Sequence, residues 1–242
     1  MRSDREAEGS VSRLALTEML THLAHDLRTP LGVLNQALAD IRGAPDLPLS
    51  DEQRRVLALA DRAARRIAHV ADLLSLAAAI EGGKLEHRRA MLDLGAILDA
   101  AVKAARALEP RREVDVESAI PDMRCTCEAD ADHIARGLAE MTSNAIRHAR
   151  SRVRVTLSWT AESATIEIED DGQGVAEDRR ETLFERLASA APRARGLGLS
   201  IAHDLIRANG GAITLADSTL PPGRVGTRGA RFVTSLPLVA AR

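Results

Sequence analysis

From Leu16 the apolar residues fall at Leu20, Leu23, Leu27, Leu31, Leu34, Leu38 and Ile41, in steps of three and four that draw one stripe along a helix. The run Gly43-Ala44-Pro45-Asp46-Leu47-Pro48 breaks that pattern, and Ser50 with Gln53 three residues later predicts a capping box opening a second helix. A second stripe follows at Val56, Leu59, Ala63, Ile67, Val70, Leu74 and Ala77. It ends at Glu81-Gly82-Gly83, where glycine can take the left-handed C-terminal cap. Two such helices form a hairpin that cannot bury both stripes within itself, so a homodimer closing a four-helix bundle is predicted.

Beyond Lys84 the periodicity is mixed. An amphipathic helix is predicted over 94–108, short strands over 113–117 and 123–128, and a helix over 130–149. Alternating runs at 152–159 and 164–170, separated by a short polar turn, predict a β-hairpin. Helices over 179–187 and 197–209 then precede two closing strands. The order implies an α+β chain with a helical hairpin over 11–83, a linker over 84–91 and a layered α/β sandwich over 92–240. No internal repeat is visible, and the loose segments are the first ten residues and 187–195.

Composition narrows the function. A formal charge of −2 gives no broad basic field for nucleic acid, and two Phe and one Trp leave little for base stacking. No apolar run reaches the roughly 20 residues of a membrane helix, and the start lacks the apolar centre of a signal peptide, which reads as cytoplasmic with no membrane segment. Cys125 and Cys127, two apart on a predicted strand, share a face but cannot easily bridge, and read as reduced packing thiols.

His25 lies two residues from both Leu23 and Leu27, which at about 100° per residue turns it nearly opposite the seam and toward water. Asp26 beside it can hold one ring nitrogen protonated and leave the other with a lone pair for nucleophilic attack. Thr29 follows one turn on, and Pro30 removes a backbone hydrogen bond. His22, His69, His87, His133 and His203 read as ordinary surface histidines; His22 and His25 alone are too few to hold a metal. On the helix over 130–149, Ile134, Leu138, Met141 and Ala145 form the core stripe. Glu140, Asn144 and His148 form a polar stripe beside it with Arg147 at its edge. An amide oxygen suits Mg²⁺, a guanidinium phosphate, and a carboxylate a water, although a polar helix face is ordinarily just solvated. Asp170 shares a strand face with Ile166 and Ile168, so its carboxylate points inward and wants a donor.

The run His25-Asp26-Leu27-Arg28-Thr29-Pro30-Leu31 resembles the H-box of sensor histidine kinases. Glu140-Met141-Thr142-Ser143-Asn144-Ala145-Ile146-Arg147-His148 resembles their N-box, Asp170-Asp171-Gly172-Gln173-Gly174 their G1 box, Leu183-Phe184-Glu185-Arg186 a short F-box, and Arg195-Gly196-Leu197-Gly198-Leu199 their G2 box. The resemblance implies a phosphoacceptor hairpin followed by an ATP-binding domain of the histidine kinase and gyrase type, using ATP and Mg²⁺ and passing phosphate to a response-regulator receiver domain. It implies that His25 is the phosphoacceptor, Asp26 its acid or base, and Thr29 the residue that places water for dephosphorylation. Asn144 would be the Mg²⁺ ligand. Arg147 and His148 would touch phosphate and nucleoside, Asp170 would accept the adenine amino group, and Gly172 and Gly174 would let backbone approach the base. Arg193 and Arg195 would contact phosphate, with Gly196 and Gly198 opening a helix whose amides receive it. The chain departs from the family at Glu140, where most members have asparagine, and at Ala194, where glycine is frequent. Two rivals therefore stay open: a kinase-deficient nucleotide-binding adaptor or phosphatase, and an ATPase or serine kinase of the wider superfamily, in whose ATPases glutamate at the first of these places activates water.

Overall fold

The structure is a computed structural model that describes residues 2–43, 49–109, 113–185, 197–221 and 228–238. The chain divides into two compact units, residues 1–86 and 87–242.

The first unit is a hairpin of α1 (Arg2–Gly43) and α2 (Asp51–Glu81). The first helix begins at Arg2, so residues 2–10 are helical rather than loose, and it runs unbroken through Pro30. Ser50 caps α2 as expected: its hydroxyl accepts from the Gln53 amide at 3.2 Å, and its own amide donates to Gln53 Oε1 at 2.8 Å. At the other end the left-handed residue is Gly83, at φ 63°, one position past the C-cap Gly82.

The two predicted stripes are only partly buried. Leu20, Leu31 and Leu38 of α1 pack inward with the small residues Ala64, Ala71 and Ala77 of α2, while Leu23, Leu34, Ile41, Val56, Leu59 and Ile67 stay exposed. Two helices share only one mutual face, and alanine there brings the backbones together and leaves the bulkier residues outside.

The second unit contains two sheets. Strands β1 (Arg89–Asp93) and β3 (Thr126–Asp130) make a two-stranded antiparallel ribbon. The larger sheet has five strands in the order β2-β4-β5-β7-β6, from β2 (Asp115–Ala119), β4 (Arg152–Trp159), β5 (Ser163–Asp170), β6 (Ala212–Asp217) and β7 (Ala230–Pro237). Only β2 and β4 run parallel. Helices α3 (Leu94–Leu108), α4 (Ala131–His148) and α6 (Leu197–Ala208) pack side by side, with α4 on β4 and β5 and α6 on β6. The core is one cluster between these layers, with Ile134, Leu138 and Met141 of α4 against Ile166, Ile168 and Phe232 of the sheet.

Two elements differ from expectation. Strand β1 occupies part of the stretch expected as linker; Leu92 is its one buried side chain, too little pattern to read as a strand. The helix expected over 179–187 shrinks to α5 (Glu177–Arg180) followed by turns through residue 185, because Ala176 gives its start no side-chain cap. Cys125 and Cys127 are buried free thiols, with Cys127 pushed up to about 11 by its apolar surroundings. Among the described residues, no helix is long and apolar enough to cross a membrane.

Candidate functional site

On α1 the ring of His25 faces water, its side chain 79% exposed and that of Asp26 77%. Nδ1 stands 3.7 Å from Asp26 Oδ1, within ion-pair distance. Thr29 is exposed one turn on. Arg28 is turned aside, donating from Nη2 to Asp72 of α2 at 3.0 Å.

In the second unit the polar stripe of α4 falls where its spacing predicts. Ile134, Leu138, Met141 and Ala145 are fully buried, Glu140, Asn144 and Arg147 are half-buried, and His148 is exposed. Helix α4 is held at its start by Asp130, whose Oδ1 accepts from the His133 amide at 3.1 Å and whose Oδ2 accepts from the Arg88 amide at 2.6 Å. His133 is buried rather than at the surface, because its ring packs edge-on against His87 and lies 3.4 Å from the Asn209 amide nitrogen. His203 is also partly covered, stacked on Phe184 with centroids 5.1 Å apart, and burial lowers its pKa.

Asp170, at the end of β5, is 1% exposed. Its Oδ1 accepts from the Gly172 amide at 2.8 Å and the Ala230 amide at 3.4 Å. Its Oδ2 is buried with no partner among the described residues. Burial outweighs the two amides and pushes the carboxyl up to about 6. A buried carboxylate oxygen without a donor is costly, so this one has the capacity to accept a further N–H. Asp171, by contrast, is fully occupied within the chain. It accepts from the Arg150, Ser151 and Arg152 amides and the Ser151 hydroxyl, which holds its pKa below the usual carboxylate range and staples the entry to β4.

The glycines meet the chain's own backbone. A Cβ on Gly172 would lie 2.3 Å from the His148 carbonyl oxygen, and one on Gly174, at φ 69°, 2.5 Å from that of Arg228. Gly229, which no sequence motif singles out, is tighter still, since a Cβ there would lie 1.8 Å from the Asp170 carbonyl oxygen. Its one signal is a glycine directly before an alternating run. These contacts knit the end of α4, the loop after Asp170 and the entry to β7 into one wall.

At the other end of the stripe, a Cβ on Gly198 would lie 2.4 Å from Glu140 Oε2, so the Glu140 carboxylate rests against the first turn of α6. Arg147 is drawn toward α3, donating from Nε to Glu109 Oε1 at 2.9 Å, and Glu109 is a second residue that the sequence pattern did not reveal. Arg193, Arg195 and Gly196 lie outside the described residues.

Residues 15–83 match the family described as the His Kinase A (phospho-acceptor) domain, and residues 129–240 match the Histidine kinase-, DNA gyrase B-, and HSP90-like ATPase family. Found in that order on one chain, the two define its class: it is a histidine kinase catalytic core, a phosphoacceptor hairpin followed by the kinases' ATPase domain. Among particular relatives, it is 31% identical over 214 residues to the sensor protein IrlS of Burkholderia pseudomallei, covering 83% of this chain and 44% of that protein. It is 29% identical over 230 residues to the sensor protein RstB of Escherichia coli, covering 91% of this chain and 48% of that one. The crystal structure of full-length ShkA in complex with AMPPNP superposes with a TM-score of 0.67 at 26% identity, over 93% of this chain and 46% of that one. The chain thus spans less than half the length of each of these three.

Proposed function

We propose that this chain is the ATP-dependent kinase core of a two-component system: it phosphorylates His25 and passes the phosphoryl group to a response-regulator aspartate. The observation that carries the reading is the buried Oδ2 of Asp170, which has no partner among the described residues and would accept from the adenine amino group, in a chain that also holds a water-facing His25. Asn144 would ligate Mg²⁺ through its amide oxygen, an oxygen donor of the kind that ion prefers. The ion would neutralise charge on the triphosphate. His25 Nε2 would attack the γ-phosphorus as the bond to ADP breaks, with Asp26 keeping the proton on Nδ1 and balancing the charge that develops on the ring. Thr29 would place the water that hydrolyses the partner's phosphoaspartate. The exposed Leu34 and Ile67 faces favour a homodimer, since soluble chains rarely leave so continuous an apolar stripe in water.

The position of Glu140 against the first turn of α6 favours a second reading, in which its carboxylate activates water and ATP is hydrolysed without transfer. One experiment separates the two. With γ-labelled ATP and Mg²⁺, the chain is expected to acquire acid-labile, alkali-stable label that vanishes in His25→Gln. Phosphate release without label on the protein would select hydrolysis, and label on serine would contradict both and select a serine kinase of the same superfamily.

A further inference from the structure

We propose that Glu109 is a positioning residue for the nucleotide: it fixes the guanidinium of Arg147 so that this arginine meets the phosphate nearest the ribose. The inference rests on the nucleotide site proposed above. Glu109 is the C-cap residue of α3, 38 positions from Arg147 in the sequence, and its side chain is only 12% exposed. It takes Arg147 side-on, with Nε at 2.9 Å and Nη2 at 2.8 Å from the same carboxylate oxygen. Nη2 also lies 3.4 Å from Ser143 Oγ, one turn back on α4. An unrestrained arginine at a helix end samples many rotamers, whereas a guanidinium gripped along one edge keeps its plane and direction.

Burial decides between holding and competing. A carboxylate this sheltered is costly without its cation, so the pair is expected to persist when a ligand arrives rather than give Arg147 up to it. The stripe itself fixes which phosphate is meant. From Glu140, beside Gly198, to His148, beside Gly172, α4 rises about 12 Å. The base belongs at the Gly172 end, where Asp170 waits, and Arg147 is one residue from that end. Its partner is therefore the first phosphate along the chain of three, so Arg147 and Glu109 distinguish a nucleotide from a nucleoside, not ATP from ADP.

The test is binding of adenosine and of ADP with Mg²⁺ to the full chain by calorimetry. Glu109→Gln keeps an acceptor but loses the charge, and is expected to weaken ADP about tenfold while adenosine changes less than about twofold. Arg147→Met should give the same split, and the double variant no more than Arg147→Met alone, because Glu109 acts through the arginine. Should Glu109→Gln fail to fold, Glu109→Asp, which is one methylene short of the grip, is read in its place with the same expected split. Equal weakening of both ligands, unchanged ADP affinity or tighter ADP binding would overturn the positioning role. A wild-type chain that binds neither ligand overturns the nucleotide site as well, whereas one that binds both with a flat response to Glu109→Gln overturns the positioning role alone.

Discussion

At Asp170 desolvation and hydrogen bonding pull in opposite directions, and desolvation wins, raising the carboxyl from 3.8 to about 6. Between those values the folded chain holds the proton more tightly than the unfolded one, so stability falls as pH rises through the window and stays lower above it. At pH 7.5, Asp170→Asn removes the buried charge and is expected to stabilise the ligand-free protein by up to about 3 kcal/mol, read as a higher melting temperature. Nucleotide affinity has the opposite dependence: it should weaken as pH drops below about 6, and the variant should bind nucleotide poorly at every pH. A variant that melts lower at pH 7.5 and still binds nucleotide would defeat this account. The inward direction of this carboxylate was legible in the sequence because strand alternation with Ile166 and Ile168 is local information. The burial of His133 was not, since the side chain that shelters it, Asn209, is 76 residues away.

Among the elements, α2 owes its start to a local signal that reads directly off the chain. Ser50→Ala removes a cap worth about 1 kcal/mol, so amides in the first turn of α2 should exchange with solvent about fivefold faster; unchanged protection there would mean that packing alone sets the helix start. Helix α4 was equally legible because its core and polar stripes keep the helical period for 18 residues. Strand β1 and the shortened α5 were not, one having a single inward side chain and the other spanning only four residues, so neighbours rather than pattern determine them. The same holds for Glu109: nothing in the letters around a helix end announces a partner on another helix.

For the molecule as a whole, the hairpin's outer apolar face is the surface on which the proposed homodimer would close. Leu34 and Ile67 are 41% and 42% exposed within one chain, and introducing Leu34→Glu with Ile67→Glu is expected to convert a dimer to a monomer in sedimentation while ADP affinity stays within about twofold. A wild-type chain that sediments as a monomer would refute the bundle. The sequence implied that two stripes exceed what one hairpin buries; which residues turn outward depended on how closely the alanines of α2 let the helices approach. In the larger sheet β5 lies third of five, flanked by β4 and β7. An interior strand surrenders its ladder later than an edge strand as a sheet frays, so Asp170, the acceptor proposed for adenine, would be carried by a strand paired on both sides. A ligand hung from that carboxylate would be anchored in the interior of the sheet rather than at its rim.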